Sequence, residues 1–472
     1  MTTKGKEKMD IVVVMGAYLP IRDKFDGYGG TERVGSLLTK GLVRRGHNVT
    51  LIAPEGSDAV ATKHVSTGRP LWADGKVEIP IEAHKKAVNS ILDKVYEHSK
   101  HADIVHGHID EMLADPRLKS VRTVNTVHGD TASDNTKRLY IESNYKPIIF
   151  ISKTQRERMT SINPADAYIV HNAVNLDEFK PSYDSHKYRP GDYIVYLARI
   201  SEEKGMHVAL DVAHATKTNI VTLYTMPDTP KDMDYYLKEV KPRIEKYKDE
   251  IKIIEKENAK RAVIASYLKG AMALIAPSGF PPSTWAEPFG LMAVEANASG
   301  TPAIVANKGG LAEIVEQGRN GFKCDTKEEM IGAVERIKEI AGTPEGIRLR
   351  VDSRNAVVER FSPEVMVKNY EKTYVKILEN PLGSMSAFGG FLRNKVSGSG
   401  KNGGNTKNAN VSNMAIMLGF AAMANATTLY DNILRISPIT EGLIVVGLFA
   451  ATLMHLKNAN YKHNARAMPL AA

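Results

Sequence analysis

The feature that most constrains this chain is a series of short apolar runs separated by longer amphipathic stretches. It starts near residue 10, breaks near residue 180 and starts again. Ile11-Val12-Val13-Val14, Val49-Thr50-Leu51-Ile52, Asp103-Ile104-Val105, Val124-Asn125-Thr126-Val127 and Ile148-Ile149-Phe150-Ile151 make up the first set. None alternates polar with apolar, as expected of parallel strands buried on both faces. Helical patterns lie between them, such as 32–45, which stops at Gly46. Repeated strand–helix order predicts a doubly wound α/β domain. After the polar Pro/Gly stretch at 180–191, the runs Tyr193-Ile194-Val195-Tyr196-Leu197, Ile251-Lys252-Ile253-Ile254, Ala273-Leu274-Ile275-Ala276 and Ala303-Ile304-Val305 form a second set. The expected architecture is α/β: two Rossmann-like domains, 1–185 and 186–380, facing across a cleft. A final helix at about 364–378 is free to pack back on the first domain.

A chain of 472 residues is too long for one ordinary core, which agrees with two domains. Its single cysteine, Cys324, excludes an intrachain disulfide and a cysteine zinc cluster, and suits a reducing compartment. The net charge of +9 comes with no recognition helix, zinc finger or basic-aromatic stripe, so no nucleic-acid partner is expected. Phosphorylated substrates or an anionic membrane surface fit the charge. The apolar stretch at 11–15 is too short for a signal peptide and reads as a first strand.

Beyond Pro381 the composition changes. Residues 381–410 are a Gly/Ser/Asn-rich linker, and 411–472 hold a hydrophobic helical hairpin with a basic tail. Residues 411–429 carry no charge, 442–456 are again apolar, and lysines flank the pair on both sides. One reading is a membrane contact through 411–456 with both ends on the cytoplasmic side. The other is a helical pair packed on the protein or on another subunit, favoured by the short second run and by Glu441.

Three motifs in the second half carry chemistry. Glu287-Pro288-Phe289-Gly290-Leu291-Met292-Ala293-Val294-Glu295 places one acid in a loop and another in the helix that follows, where both can accept hydrogen bonds from sugar hydroxyls. Asn307-Lys308-Gly309-Gly310-Leu311-Ala312-Glu313 puts two glycines before a helix, where backbone N–H groups can approach a phosphate. Arg199 and Lys204 follow a strand's carboxyl end, where two cations can neutralise a pyrophosphate. The alternatives are a capping acid, a common Gly-Gly turn, and surface ion pairs to Glu202 and Glu203.

Taken in order, these pieces resemble the retaining glycosyltransferases of family 4, which have the GT-B architecture; the likeness spans roughly 10–380. The resemblance implies that Arg199 and Lys204 bind the donor diphosphate and that Glu295 binds the ribose. Glu287 would hold the hydroxyls of the transferred sugar, helped by backbone amides at Phe289, Gly290 and Leu291. In Gly27-Tyr28-Gly29-Gly30-Thr31-Glu32, Gly29 and Gly30 would let the backbone approach the donor phosphates and the acceptor. His128 would sit against the sugar, with His106, His108 and His171 at comparable places, so that the catalytic set is His128, Glu287, Arg199 and Lys204.

The implied reaction moves a sugar from a nucleotide-diphosphate sugar, a UDP-sugar being favoured, to an acceptor hydroxyl with retained configuration. No cofactor is implied, and no metal, since no Asp-x-Asp pair stands beside the motifs. The acceptor stays open among a lipid-linked molecule, a glycan and a small molecule. Two other readings use the same residues: a membrane-tethered sugar-nucleotide binding protein without transfer, and an epimerase of the same fold. The sequence departs from the family pattern at Asn172-Ala173-Val174-Asn175, where Asn-Gly-Val-Asp is usual, and in a longer loop at 279–286.

Overall fold

The computed structural model describes residues 8–24, 29–72, 79–118, 121–131, 134–142, 146–159, 167–182, 192–226, 229–280 and 283–379, with the side chains of 134–136 and 142 left aside. Gly27 and Tyr28 of the glycine loop, the stretch 183–191, the linker 381–410 and the hydrophobic hairpin at 411–456 lie outside the described residues. Among the described residues no helix is long and apolar enough to cross a membrane.

Two parallel sheets organise the chain. The first contains β1 (Asp10–Val14), β2 (Asn48–Ala53), β3 (Lys63–Ser66), β4 (Ile104–Gly107), β5 (Thr123–Val127), β6 (Ile148–Phe150) and β7 (Ala167–Ile169), in the order β3-β2-β1-β4-β5-β6-β7. The second contains β8 (Tyr193–Arg199), β9 (Asn219–Thr225), β10 (Ile253–Glu257), β11 (Ala273–Ala276), β12 (Ala303–Ala306) and β13 (Gly321–Cys324), in the order β10-β9-β8-β11-β12-β13. Strand order reverses beside β1 in one sheet and beside β8 in the other. Such switch points open a crevice at the strands' carboxyl ends. β4, β5 and β6 are buried along their whole length, and so are β11 and β12, because helices cover both faces.

The packing shows where the domains exchange chain. Val174 and Phe179, ahead of the expected boundary at 185, belong to the second domain's apolar cluster with Leu274 and Val305. The last helix, Pro363–Glu379, returns to the first domain. Its Met366, Val367, Tyr370 and Tyr374 share a cluster with Leu38, Leu42 and Val49. Arg45 Nε donates to Glu371 Oε2 at 2.6 Å on the same contact. The chain therefore crosses between the two domains twice.

Candidate active site

Strand ends aim the site residues. β5 runs directly into His128, and β8 ends on Arg199. The turn Glu202–Lys204 then brings Lys204 back toward the sheet. After β11 the chain loops through 277–290 and enters the helix Leu291–Ala298. Gly290 begins that helix with φ +111, a conformation that favours glycine, and a Cβ there would lie 2.5 Å from Leu311 Cδ2. On the opposite wall Gly29 precedes the helix Gly30–Arg44, and a Cβ on Gly30 would approach Leu291 Cδ1 to 3.1 Å.

These elements enclose a cavity of about 560 Å³ lined from both domains. The ten residues to which the resemblance assigns a donor-binding or catalytic role all face it: Gly29, Gly30, His128, Arg199, Lys204, Glu287, Phe289, Gly290, Leu291 and Glu295. Its cations are already paired. Lys204 Nζ donates to Glu287 Oε2 at 2.6 Å, both side chains being 11% exposed, and lies 4.3 Å from the Trp285 ring centroid. Arg199 donates to Asp232 Oδ2 at 3.2 Å and also pairs with Glu203. The surface-pair alternative for Arg199 is therefore present through Glu203, whereas Glu202 faces Lys231 at 3.9 Å.

Glu295 is 3% exposed within a helix otherwise buried among apolar neighbours, so its charge needs partners. It has two. Arg261 donates to Glu295 Oε1 at 2.9 Å and to Glu178 Oε1 at 2.8 Å, and Arg33 from the first domain lies 3.5 Å away. Arg33, Arg261 and Trp285 were not picked out from the sequence. Their neighbours are distant in the chain, and only the fold brings them together.

The histidines separate clearly. His106 is fully buried between Tyr374 Oη and Thr126 Oγ1, both at 2.7 Å, and burial pushes its pKa down to about 3. His108 Nδ1 lies 2.8 Å from His128 Nε2 behind the cavity. Burial lowers His128 to about 4, so it is a neutral hydrogen-bonding group at neutral pH. His171 packs against Phe289 and Phe361 and faces Glu313 Oε2 at 3.5 Å. Of the four, only His128 lines the cavity.

The Gly309-Gly310 expectation needs correction. These glycines do not line the cavity; they let the helix Gly309–Ile314 pack on the Glu287 loop. A Cβ on Gly310 would lie 2.5 Å from Phe289 Cα, and the Gly310 N–H is used by Glu287 O at 2.7 Å. Glu313 of the same helix reaches into the first domain, accepting from the backbone N–H groups of Lys153 at 2.9 Å and Thr154 at 2.7 Å. Burial alone would raise its pKa. The nearby His171 and the hydrogen bonds from Thr154 and Lys153 outweigh burial and hold the carboxyl at about 2.

At the two departures from the family pattern, Asn175 Oδ1 accepts from Asp177 N at 3.0 Å, a bond an aspartate would also make. The 279–286 loop carries Trp285 to Lys204 and is held by Lys308 Nζ, 3.2 Å from both Gly279 O and Ser283 O. Among the described residues no group of three or more His, Cys, Asp or Glu side chains is placed to hold a metal ion.

A two-domain Rossmann-like fold with its cavity at both switch points defines the class. Residues 28–178 match the family Glycosyltransferase Family 4, and residues 183–352 match Glycosyl transferases group 1. A glycogen synthase of Mycobacterium tuberculosis is 23% identical over 273 residues, covering 52% of this chain; the chain spans 62% of that relative's length. Sucrose-phosphate synthase from Thermosynechococcus elongatus superimposes with TM-score 0.61 and 17% identity, over 78% of this chain and 99% of that one. Anabaena Alr3699/HepE in complex with UDP-glucose superimposes with TM-score 0.58 and 16% identity, over 77% of this chain and 99% of that one. At these identities the superpositions speak for the fold. Together with the two family matches, which cover different parts of the chain, they support a glycosyltransferase of the family 4, GT-B type.

Proposed function

We propose that the chain transfers a sugar from a nucleotide-diphosphate sugar, a UDP-sugar being favoured, to an acceptor hydroxyl with retention of configuration and without a metal ion. The observation that carries this is the convergence on one cavity between the two sheets of the ten residues to which the resemblance assigns roles. The UDP-glucose in Anabaena Alr3699/HepE and the ADP in the catalytic domain of Starch Synthase IV from Arabidopsis thaliana both fit a nucleotide-sugar donor.

In this reading the second domain binds the donor and the first presents the acceptor. Lys204 and Arg199 trade part of their pairing with Glu287, Glu203 and Asp232 for the donor diphosphate, and the amino end of the helix Leu291–Ala298 adds its field. Glu287 and Glu295 accept hydroxyls of the transferred sugar and the ribose, as ionised carboxylates can. Neutral His128 hydrogen-bonds a sugar hydroxyl without adding charge near the oxocarbenium-like centre. The sugar C1–O bond to phosphate breaks as the acceptor oxygen bonds C1 on the same face. The acceptor proton passes to the departing phosphate oxygen, so the side chains serve positioning and charge stabilisation.

The test is to incubate the full chain with UDP-, GDP- and ADP-sugars in a chelator and follow nucleotide release and the anomeric proton of the product by NMR. Turnover giving a retained anomer is expected. An inverted anomer removes the retaining mechanism, loss of turnover in chelator removes metal independence, and a changed free sugar formed without acceptor points to the epimerase.

A further inference from the structure

The first-domain wall of the cavity holds two aromatic side chains that the donor reading leaves unused. Tyr18, just past β1, and Trp72 both line the cavity and are half-buried. Their ring centroids lie 5.1 Å apart with planes inclined by 50°, forming a corner. The backbone fixes it: Trp72 N–H donates to Tyr18 O at 3.1 Å, and Leu71 N–H to Ala17 O at 3.0 Å. Side chains fix it too. Tyr18 Oη lies 3.1 Å from His84 Nδ1, whose Nε2 lies 3.3 Å from Glu111 Oε1, and the Tyr18 and His84 rings stack at 5.9 Å.

A braced aromatic corner that keeps exposed area inside a cavity offers flat apolar surface at little entropic cost. It stands on the first domain, whereas Arg199 and Lys204, the cations expected to hold the diphosphate, stand on the second. An alkyl chain would have to share the space with Arg33, Glu32 and Glu287, whose desolvation without a new partner is costly. A polyhydroxylated ring suits both demands. One face is lined with C–H groups that pack on the negative face of an aromatic ring, while its rim of hydroxyls meets the polar walls.

We propose that Tyr18 and Trp72 form the acceptor platform and that the acceptor presents a cyclic polyol, a pyranose or cyclitol, whose apolar face stacks on them. This rests on the glycosyltransferase reading and names the acceptor class for it.

The experiment loads the full chain with whichever of UDP, GDP or ADP binds it. It then titrates methyl α-D-glucopyranoside, methyl α-D-mannopyranoside and myo-inositol, with glycerol and n-octanol as open-chain polyol and alkyl controls. Saturation-transfer NMR reads which probe protons touch the protein. At least one ring probe is expected to bind through its C–H face. Its apparent affinity should fall about tenfold in Trp72→Ala and hold within about threefold in Trp72→Phe, the loss expected for one aromatic stacking partner. Nucleotide affinity should stay within about twofold in both variants, which also reports that they fold.

Ring-probe binding that is absent, or equal in the wild type and Trp72→Ala, overturns the proposal while leaving the donor site standing. So does n-octanol binding at the corner in place of the rings. Absence of any nucleotide binding to the wild type instead removes the glycosyltransferase reading beneath it.

Discussion

Removing Arg261 tests whether the buried charges around Glu295 act as one network. The Arg261 side chain is 9% exposed and Glu295 4%, at 2.9 Å, and the Arg261 guanidinium also lies 4.8 Å from the Phe179 ring centroid. Deleting one partner of a buried ion pair costs about 3–5 kcal/mol, mostly from the stranded charge. Two features place Arg261→Met at the low end, about 3 kcal/mol. Arg33 stays 3.5 Å from Glu295, and Glu178, 26% exposed, can rehydrate. Glu295→Leu should cost about 2 kcal/mol, because Arg261 keeps Glu178 and Arg33 is partly solvated. The double variant replaces the pair by apolar side chains of similar size and should cost only about 1–2 kcal/mol, which gives a coupling of about 3–4 kcal/mol. Urea unfolding followed by tryptophan fluorescence and circular dichroism supplies the four free energies. Additive losses, or a loss below about 1 kcal/mol for Arg261→Met, would refute the network.

Two further outcomes follow from the loop and from Glu313. Gly310→Ala forces a Cβ to within 2.5 Å of Phe289 Cα and O, so the Glu287 loop must shift. A loss of about 2 kcal/mol in stability and of most nucleotide affinity is expected, measured by urea unfolding and calorimetry. Glu313 is held at about 2 in the fold against about 4.3 unfolded, so its clamp stabilises fully above pH about 5 and is lost as pH falls through that window. The stability difference between wild type and Glu313→Gln should therefore shrink from pH 5 toward pH 2, and a constant difference would show that the carboxylate is not the clamp.

How far the sequence spoke for the structure depended on burial. β1, β4, β5, β11 and β12 read as apolar runs because helices cover both their faces. The edge strands β3 and β7 lacked that signal, since Lys63, His64 and Ser66 are exposed and the whole of β7 is half-buried. β9 was missed although Ile220-Val221-Thr222-Leu223-Tyr224 is buried throughout; the signal was there, diluted by one threonine.

Arg199, Lys204, Glu287 and Glu295 were legible because an ordered set of motifs in the second half tied them together, and the resemblance then implied Gly29, Gly30 and His128 in the first. Arg33 and Arg261 were not, because a helical arginine reads as solvated until the fold supplies its carboxylate, 34 residues away for Arg261. Gly309-Gly310 shows the converse. A glycine pair before a helix signals close approach by something, and here that is the carbonyl side of the Glu287 loop and not a phosphate.

The most direct test of the cavity as a nucleotide-sugar site is calorimetric titration of the full chain with UDP, GDP and ADP, in wild type and Lys204→Ala. Saturable binding of at least one nucleotide is expected. Its affinity should fall about 10- to 100-fold in the variant, the worth of one charge-assisted contact to a phosphate. No binding of any nucleotide, or equal affinity in the two proteins, would contradict it.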